Sequence, residues 1–168
     1  MNLTLSVNVL REGASTYGGG EAVTGVAYAP VRILLVEDEA LIAMFAEDTL
    51  TRAGHTVVGN ARTAAEAVQM AAALKPDLIV MDVRLSPLGH QLPDGVSAAI
   101  EIFRTTRIRS LFATAQPDDE TKGRAAEAQP YGWLKKPYAA ADLLRMIEAI
   151  AASQPNRRGD ARRQPNGG

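Results

Sequence analysis

The feature that most constrains the fold of this chain is an alternation of short apolar runs with longer segments of helical spacing. The runs are of strand length, and several are almost continuously hydrophobic, which is typical of strands covered on both faces. They occupy residues 32–36, 56–59, 77–82, 110–114 and 131–134. Right-handed crossovers place the intervening helices on both faces of a parallel sheet. We therefore expect an α/β fold with a doubly wound, five-stranded parallel sheet.

The segments between these runs carry recognisable helix signals. Thr63 and Asp94 are residue types that cap helix N-termini, and Gly54 follows the first helical segment as a stop signal. The apolar stripe of that first segment comprises Ile42, Phe45, Ala46 and Leu50. The predicted helices span residues 39–53, 63–75, 94–105, 117–127 and 140–152.

Both ends of the 168-residue chain differ in composition from its centre. Residues 1–30 contain three consecutive glycines and no sustained periodicity, so we expect a flexible leader. Residues 153–168 hold four arginines, one aspartate and no apolar residue larger than alanine, which predicts a disordered basic tail. The domain itself is expected at 31–152.

The composition excludes several functional classes. The chain has no cysteine, which rules out disulfides and thiolate metal sites and fits a reducing compartment. Its first residues lack the pattern of a signal peptide, and no apolar run approaches the roughly 18 residues of a membrane span. The arginine tail lacks the aromatics of a nucleic-acid arm, and the net charge is −1. We expect a cytoplasmic protein that binds neither membrane nor nucleic acid.

The chemically active residues follow the ends of four predicted strands. Glu37 and Asp38 follow the first strand, Asp82 ends the third, Thr114 ends the fourth, and Lys136 follows the fifth. The carboxyl ends of parallel strands meet at one edge of the sheet, so these groups should converge. Several carboxylates in one pocket need a compensating cation. Oxygen ligands of this kind suit Mg²⁺, and the ammonium of Lys136 can pair with Asp82 or with a phosphoryl oxygen.

Four motifs in order give the chain its resemblance to a known family. They are LLVEDE at 34–39, LIVMD at 78–82, FATA at 112–115 and LKKP at 134–137. Together, over about residues 31–152, they resemble the receiver domains of response regulators in bacterial two-component systems. The resemblance implies a flavodoxin-like fold with strand order 2-1-3-4-5.

The resemblance also implies a role for each strand-end acid. Asp82 corresponds to the aspartate that accepts a phosphoryl group. Glu37 and Asp38 correspond to the acidic pair that holds Mg²⁺ together with Asp82. The backbone carbonyl of Arg84 corresponds to the remaining protein ligand of that ion.

Three further positions match family positions that respond to phosphorylation. Thr114 and Lys136 correspond to residues that contact the phosphoryl group, and Thr114 also belongs to the switch. Trp133 stands where the family places its switch aromatic, and we favour that role over the alternative of plain core packing. We interpret Lys135 and His55 as plain surface residues.

The segment after Asp82 departs from the family pattern. The family usually reaches its Asp-Gly pair in seven positions, whereas Asp94 lies twelve positions after Asp82. The loop at 83–93 has therefore gained about five residues, a change that often accompanies a different partner. It contains His90, which we interpret as a surface residue. Residues 112–114 resemble the FAT motif of the FAT GUY receivers of alphaproteobacteria.

These observations predict a stand-alone receiver rather than an enzyme. A histidine kinase or a histidine phosphotransfer protein would phosphorylate Asp82, and a downstream protein would read the phosphate. A homodimer could form through the face of helix 4, strand 5 and helix 5. One alternative is a receiver-fold scaffold that acts without phosphorylation. Another is a phosphatase of the haloacid dehalogenase type, whose pattern requires a second acid where Arg84 stands.

Overall fold

The computed structural model describes residues 29–85 and 94–154. Five strands alternate with five helices in this part of the chain. The strands are β1 (Arg32–Val36), β2 (Thr56–Ala61), β3 (Leu78–Asp82), β4 (Ser110–Thr114) and β5 (Gly132–Lys135). The helices are α1 (Ala40–Arg52), α2 (Ala64–Leu74), α3 (Gly95–Thr106), α4 (Asp119–Ala125) and α5 (Ala140–Ser153), with a 3₁₀ turn (Ala126–Ala128) directly after α4.

The strands form one parallel sheet in the order β2-β1-β3-β4-β5. This is the strand order that the family resemblance implies, so the predicted fold class is confirmed. At the carboxyl edge, Val36 pairs with Met81 and Asp82 pairs with Ala113. The neighbouring strands β1, β3 and β4 thus end side by side, and the residues that follow them share one edge.

Alternating strand residues divide the interior into two apolar layers. Leu34, Met81 and Phe112 point toward the layer that contains α2, α3 and the end of α4. Leu35, Val80 and Leu111 point toward the layer of α1 and α5. Full burial of such a side chain stabilises the fold by about 1.5–3 kcal/mol. The two-residue period therefore explains why strands that read as continuously apolar need helices on both faces.

Strand β2 is longer than the sequence predicts. The apolar run predicts a strand over residues 56–59, but pairing with β1 continues to Ala61. The register between the two strands shifts at Ile33 and Leu34, which brings Val36 opposite Ala61. A side chain at Gly59 would come within 2.3 Å of the methyl group of Met70. Gly59 therefore provides close packing against α2 rather than a strand end.

Helix α1 buries Ala46 and Leu50 as predicted, but Phe45 of the predicted stripe is exposed. Its buried residues are Ala43, Ala46, Thr49 and Leu50. Phe45 is 43% exposed and Leu41 is 81% exposed. Three of the four buried side chains are small, whereas Leu41 and Phe45 lie at the rim of the site described below.

The interpretation of His55 as a surface residue is wrong. His55 is 8% exposed, and its Nδ1 accepts a hydrogen bond of 3.3 Å from the backbone N–H of Val31. Gly54, with φ of +86°, turns the chain back at the end of α1 and brings His55 beside the start of β1. Burial, partly offset by the charge of Glu148, lowers the pKa of His55.

The predicted leader and tail lie almost entirely outside the described residues, as does most of the 83–93 loop, including His90. Their predicted properties remain predictions. Among the helices that the structure describes, none has the length and apolar character that a bilayer span requires.

Candidate functional site

Two acidic side chains are buried at the carboxyl edge of the sheet. Glu37 is 6% exposed and Asp82 is 5% exposed. Backbone hydrogen bonds fix the segments that carry them, from Glu37 N–H to the Ala61 carbonyl and from Val83 N–H to the Ala113 carbonyl. Burial of two carboxylates costs free energy unless cations or hydrogen bonds compensate.

Lys136 supplies that compensation. Its Nζ donates hydrogen bonds to Oε2 of Glu37 at 2.5 Å and to Oδ2 of Asp82 at 2.7 Å. The backbone N–H of Lys136 binds the carbonyl of Thr114, which holds the lysine at the end of β5, and the following Lys136-Pro137 peptide is cis. The predicted meeting of Glu37, Asp82 and Lys136 therefore occurs. Lys135, its neighbour, is exposed, in agreement with the interpretation as a surface charge.

The charges in this cluster shift one another's ionisation. Burial raises the pKa of Glu37, the hydrogen bond from Lys136 opposes that effect, and repulsion from Asp82 adds to it. Burial acts to lower the pKa of Lys136, but the hydrogen bonds to Asp82 and Glu37 outweigh it, so the pKa rises. Lys136 therefore stays charged at neutral pH, as the two carboxylates require.

A second hydrogen bond fixes the orientation of the Asp82 carboxylate. The backbone N–H of Arg84 donates to Oδ1 of Asp82 at 3.0 Å, while Oδ2 accepts from Lys136. Among the described residues, each oxygen thus has one hydrogen-bond donor, and a carboxylate oxygen has further lone pairs available. The side chain of Arg84 is exposed. That its carbonyl is a metal ligand remains a prediction.

Three acids could together hold a divalent cation. Glu37, Asp38 and Asp82 each offer a carboxylate oxygen, and these atoms all lie within 4.8 Å of one another. Hard oxygen donors at this spacing suit Mg²⁺, which takes carboxylate ligands and retains several waters. The residues present therefore fit the ion that the sequence predicts.

Thr114 and Trp133 border the same cavity. Thr114 is 3% exposed at the end of β4, one position beyond the residue that pairs with Asp82. The two side chains help to line a cavity of 230 Å³ between the β4–α4 loop and β5. Trp133 also stacks on Phe112, with ring centroids 4.8 Å apart. The tryptophan thus packs on Phe112 and also lines the cavity that the predicted switch threonine borders.

The N-terminus of α3 lies against the strand end that carries Asp82. Asp94 caps the helix by accepting a hydrogen bond of 2.8 Å from Ser97 N–H, as its residue type predicts. The backbone N–H of Gly95 donates to the Val83 carbonyl. A Cβ at Gly95 would lie 1.8 Å from the carbonyl oxygen of Asp82, so only glycine permits this contact.

Sequence reasoning missed Tyr138. Its ring borders a cavity of 460 Å³ at the surface together with Leu41, Phe45 and Lys136. It also contacts the small enclosed space beside Asp82, and burial followed by the charge of Glu37 raises its pKa to about 12. Its position two residues after Lys136 was the available signal, because a side chain so close to a strand-end lysine must lie near the same edge.

Sequence reasoning also missed Arg124. This residue of α4 donates two hydrogen bonds to the carboxylate of Asp94, thirty positions earlier in the chain. Nothing in the local pattern of α4 distinguishes Arg124 from a solvated surface charge, so the pairing emerges only from the packing of α4 against α3.

The parallel sheet, its strand order and the strand-edge cluster of acids and lysine define the receiver class of signalling domains. Comparison with known families agrees, since the response regulator receiver domain matches residues 33–148. The chain belongs to this family.

Two bacterial regulatory proteins are similar to most of this chain. The chain is 36% identical over 129 residues to the transcriptional regulatory protein PdtaR of Mycobacterium tuberculosis, covering 77% of this chain and 60% of that protein. It is 35% identical over 131 residues to the phyllosphere-induced regulator PhyR of Methylorubrum extorquens, covering 77% of this chain and 47% of that protein. The matched region thus spans only about half to three fifths of these relatives.

Among solved structures, the signal receiver domain of a modulated diguanylate cyclase from Desulfovibrio desulfuricans is similar throughout. The TM-score is 0.66 at 33% identity, covering 74% of this chain and 95% of that domain. The similarity therefore extends over a whole receiver domain.

Proposed function

We propose that Asp82 accepts a phosphoryl group from the phosphohistidine of a histidine kinase or a histidine phosphotransfer protein. The observation that carries this proposal is the environment of the Asp82 carboxylate. It is buried, oriented by the backbone of Arg84, paired with Lys136 at 2.7 Å and adjacent to two further acids. An aspartate held in this way is equipped for acyl-phosphate chemistry, because cations around it neutralise charge as phosphorus moves.

The transfer forms one bond and breaks another. An oxygen of Asp82 attacks phosphorus, the phosphorus–nitrogen bond of the donor breaks, and the donor histidine keeps the bonding electrons. Lys136 then binds an oxygen of the transferred group in place of the carboxylate that it neutralised before. Glu37, Asp38 and Asp82, together with the carbonyl of Arg84, would hold Mg²⁺, which when bound supplies positive charge against the phosphoryl oxygens. Water later hydrolyses the acyl phosphate and regenerates Asp82.

The output of such a site is a change in shape that other proteins read. A phosphate of roughly −1.5 to −2 charge offers strong acceptor oxygens and draws in the hydroxyl of Thr114. Movement of Thr114 alters the cavity that it shares with Trp133. The face of α4, β5 and α5 is then the surface for a downstream protein or a second copy of the chain. We propose no separate substrate turnover and a cytoplasmic setting, where histidine kinases draw on ATP.

Intact mass measurement tests the phosphoacceptor. The protein is incubated with Mg²⁺ and acetyl phosphate, and the addition of one phosphoryl mass is expected on wild type and absent on Asp82→Asn. Asp48→Asn is the matched control, because Asp48 lies on the exposed side of α1 and pairs only with Arg52 in the contacts described. An unmodified wild type, or equal modification of Asp82→Asn, would overturn the assignment.

A further inference from the structure

Helix α4 is weakly attached to the rest of the domain. It has seven residues, and only Ala125 of the helix and Ala128 of the following 3₁₀ turn are buried. Gly123 in its interior further weakens it, and an isolated helix of this length is not stable in water. Two ion pairs join this segment to α3, from Arg124 to Asp94 and from Arg104 to Glu127. Its position therefore depends heavily on these polar contacts.

The Arg124 pair has the more constrained geometry. The two terminal nitrogens of Arg124 donate to the two carboxylate oxygens of Asp94, each at 3.1 Å, and one of them also binds the hydroxyl of Ser97 at 3.2 Å. Burial opposes ionisation of Asp94, but hydrogen bonds from Ser97 and Arg124 outweigh it and lower its pKa. A two-pronged contact between planar groups requires a specific relative orientation of the two groups.

Asp94 connects this contact to the phosphoacceptor. It caps α3, and the next residue, Gly95, packs directly against the backbone carbonyl of Asp82. The chain of contacts from Arg124 through Asp94 and Gly95 to Asp82 has no gap. The second ion pair, between Arg104 and Glu127, joins the same two segments but lies at the other end of α3.

We propose that Arg124 is a positioning residue that latches α4 to the strand end carrying Asp82, and that the latch belongs to the unphosphorylated arrangement. This inference rests on the proposed function. Thr114 is followed by only four residues before α4 begins, so drawing Thr114 toward a phosphoryl group pulls on the start of that helix. The bidentate contact resists this pull and is released when α4 moves.

Thermodynamic linkage sets the expected effect. If the latch stabilises the unphosphorylated arrangement only, its removal must favour the phosphorylated arrangement by the same factor. For a partly exposed pair the factor is about threefold to fivefold. The prediction is thus that loss of Arg124 strengthens binding of a phosphoryl mimic.

Beryllofluoride, which occupies the place of a phosphoryl group on a carboxylate, serves as the probe. Its binding to the full chain with Mg²⁺ is followed by fluorine NMR. The variants are Arg124→Gln and Asp94→Ser, of which the second keeps a capping hydroxyl while removing the charge. Arg104→Gln is the matched control, because it removes the other ion pair between α3 and the segment that contains α4. Arg124→Lys retains the charge without the two-pronged geometry.

The half-saturating beryllofluoride concentration should fall about threefold to fivefold for Arg124→Gln and for Asp94→Ser. Arg104→Gln should match wild type, and Arg124→Lys should lie between. Without beryllofluoride, the amide hydrogens of residues 119–125 should exchange faster in Arg124→Gln than in wild type. With beryllofluoride bound, they should exchange at the same rate in both proteins.

An unchanged or weakened response of Arg124→Gln overturns the latch, even if α4 exchanges faster, since the pair would then be structural only. An equal shift in Arg104→Gln also overturns it. If wild type itself fails to bind beryllofluoride and to gain phosphoryl mass, the proposed function fails instead.

Discussion

At the scale of single residues, Lys136 determines whether two buried carboxylates can coexist. Its ammonium contacts Glu37 and Asp82, whose side chains are 7% and 6% exposed. Removal of one partner from a buried ion pair is costly, because the remaining charge keeps its desolvation penalty without compensation.

We predict that Lys136→Met lowers the free energy of unfolding by about 3 kcal/mol in the presence of a chelator. Urea denaturation provides the measurement. Adding Asp82→Asn to this variant should restore part of the loss, since Glu37 then faces one charge fewer. Lys135→Met, a change at the exposed neighbour, should stay within about 0.5 kcal/mol of wild type. A loss shared equally by both lysine variants would contradict the prediction.

The buried imidazole of His55 predicts a pH dependence of stability. Its folded pKa lies below the ordinary value of 6.5, so the unfolded chain binds the proton more readily. Stability is therefore unaffected by this group above pH 6.5 and falls as the pH decreases below it, until the folded pKa is passed.

Urea denaturation at about pH 7.5 and about pH 5 should show that His55→Gln loses less stability on acidification than wild type. Glutamine retains an acceptor for the Val31 N–H, which limits other effects of the substitution. An equal loss of stability in the two proteins between these two pH values would show that His55 does not resist protonation in the fold.

Some contacts of single residues could be predicted from the sequence, and others could not. Glu37, Asp82 and Lys136 were predicted to converge because each follows a strand of the same parallel sheet. Arg124 and the burial of His55 were not predicted. Their contacts join positions thirty and twenty-four residues apart, and no local periodicity encodes such a pair.

At the scale of elements, two glycines in helices have opposite roles. Gly95 begins α3 against the carbonyl of Asp82, where a Cβ would approach to 1.8 Å. Gly123 lies inside α4, and a Cβ there would meet nothing within 4 Å. Helix propensity favours alanine over glycine at both positions, so tertiary contact alone distinguishes them.

Gly95→Ala should therefore destabilise the domain by about 2 kcal/mol or more, because the neighbouring atom is backbone and cannot rotate away. Gly123→Ala should stabilise it by about 0.5–1 kcal/mol. Thermal unfolding of the two variants beside wild type checks both signs. A neutral Gly95→Ala would mean that α3 does not pack on Asp82 as described.

The helices also show which features could be predicted from the sequence and which depend on tertiary contacts. Thr63 and Asp94 cap α2 and α3 as predicted, because capping is a contact between residues three positions apart. The predicted apolar stripe of α1 is correct for Ala46 and Leu50 and wrong for Phe45. Spacing identifies a face, whereas the sheet beneath the helix selects which residues fit against it.

At the scale of the whole molecule, α1 and the segment after β5 border the entrance to the site. Leu41 is 81% exposed and lines the 460 Å³ cavity that also contacts Lys136 and Tyr138. Met44 is 65% exposed on the same helix and does not line that cavity. A protein donor that reaches Asp82 from this edge must cover the cavity, whereas a small donor need not.

Leu41→Ser should therefore slow phosphotransfer from a phosphorylated histidine phosphotransfer protein by about tenfold, as expected for loss of one buried apolar contact at an interface. Its phosphorylation by acetyl phosphate should match wild type. Met44→Ser should leave both rates unchanged. Intact mass followed over time gives the rate of phosphorylation of wild type and of both variants. If Leu41→Ser is slow with both donors, the substitution does not act through docking of the protein donor.

The sequence by itself determined the class of fold and the main chemical groups of the site. Short, nearly continuous apolar runs that alternate with helical segments require strands buried on both faces. Polar residues at the ends of these strands must share an edge when the strands are parallel. Tertiary structure decided the rest: which α1 side chains face the sheet, why Gly95 cannot be replaced freely, and how Arg124 reaches Asp94. The reason is physical, because periodicity records burial along one element, whereas contacts between elements depend on how their surfaces pack together.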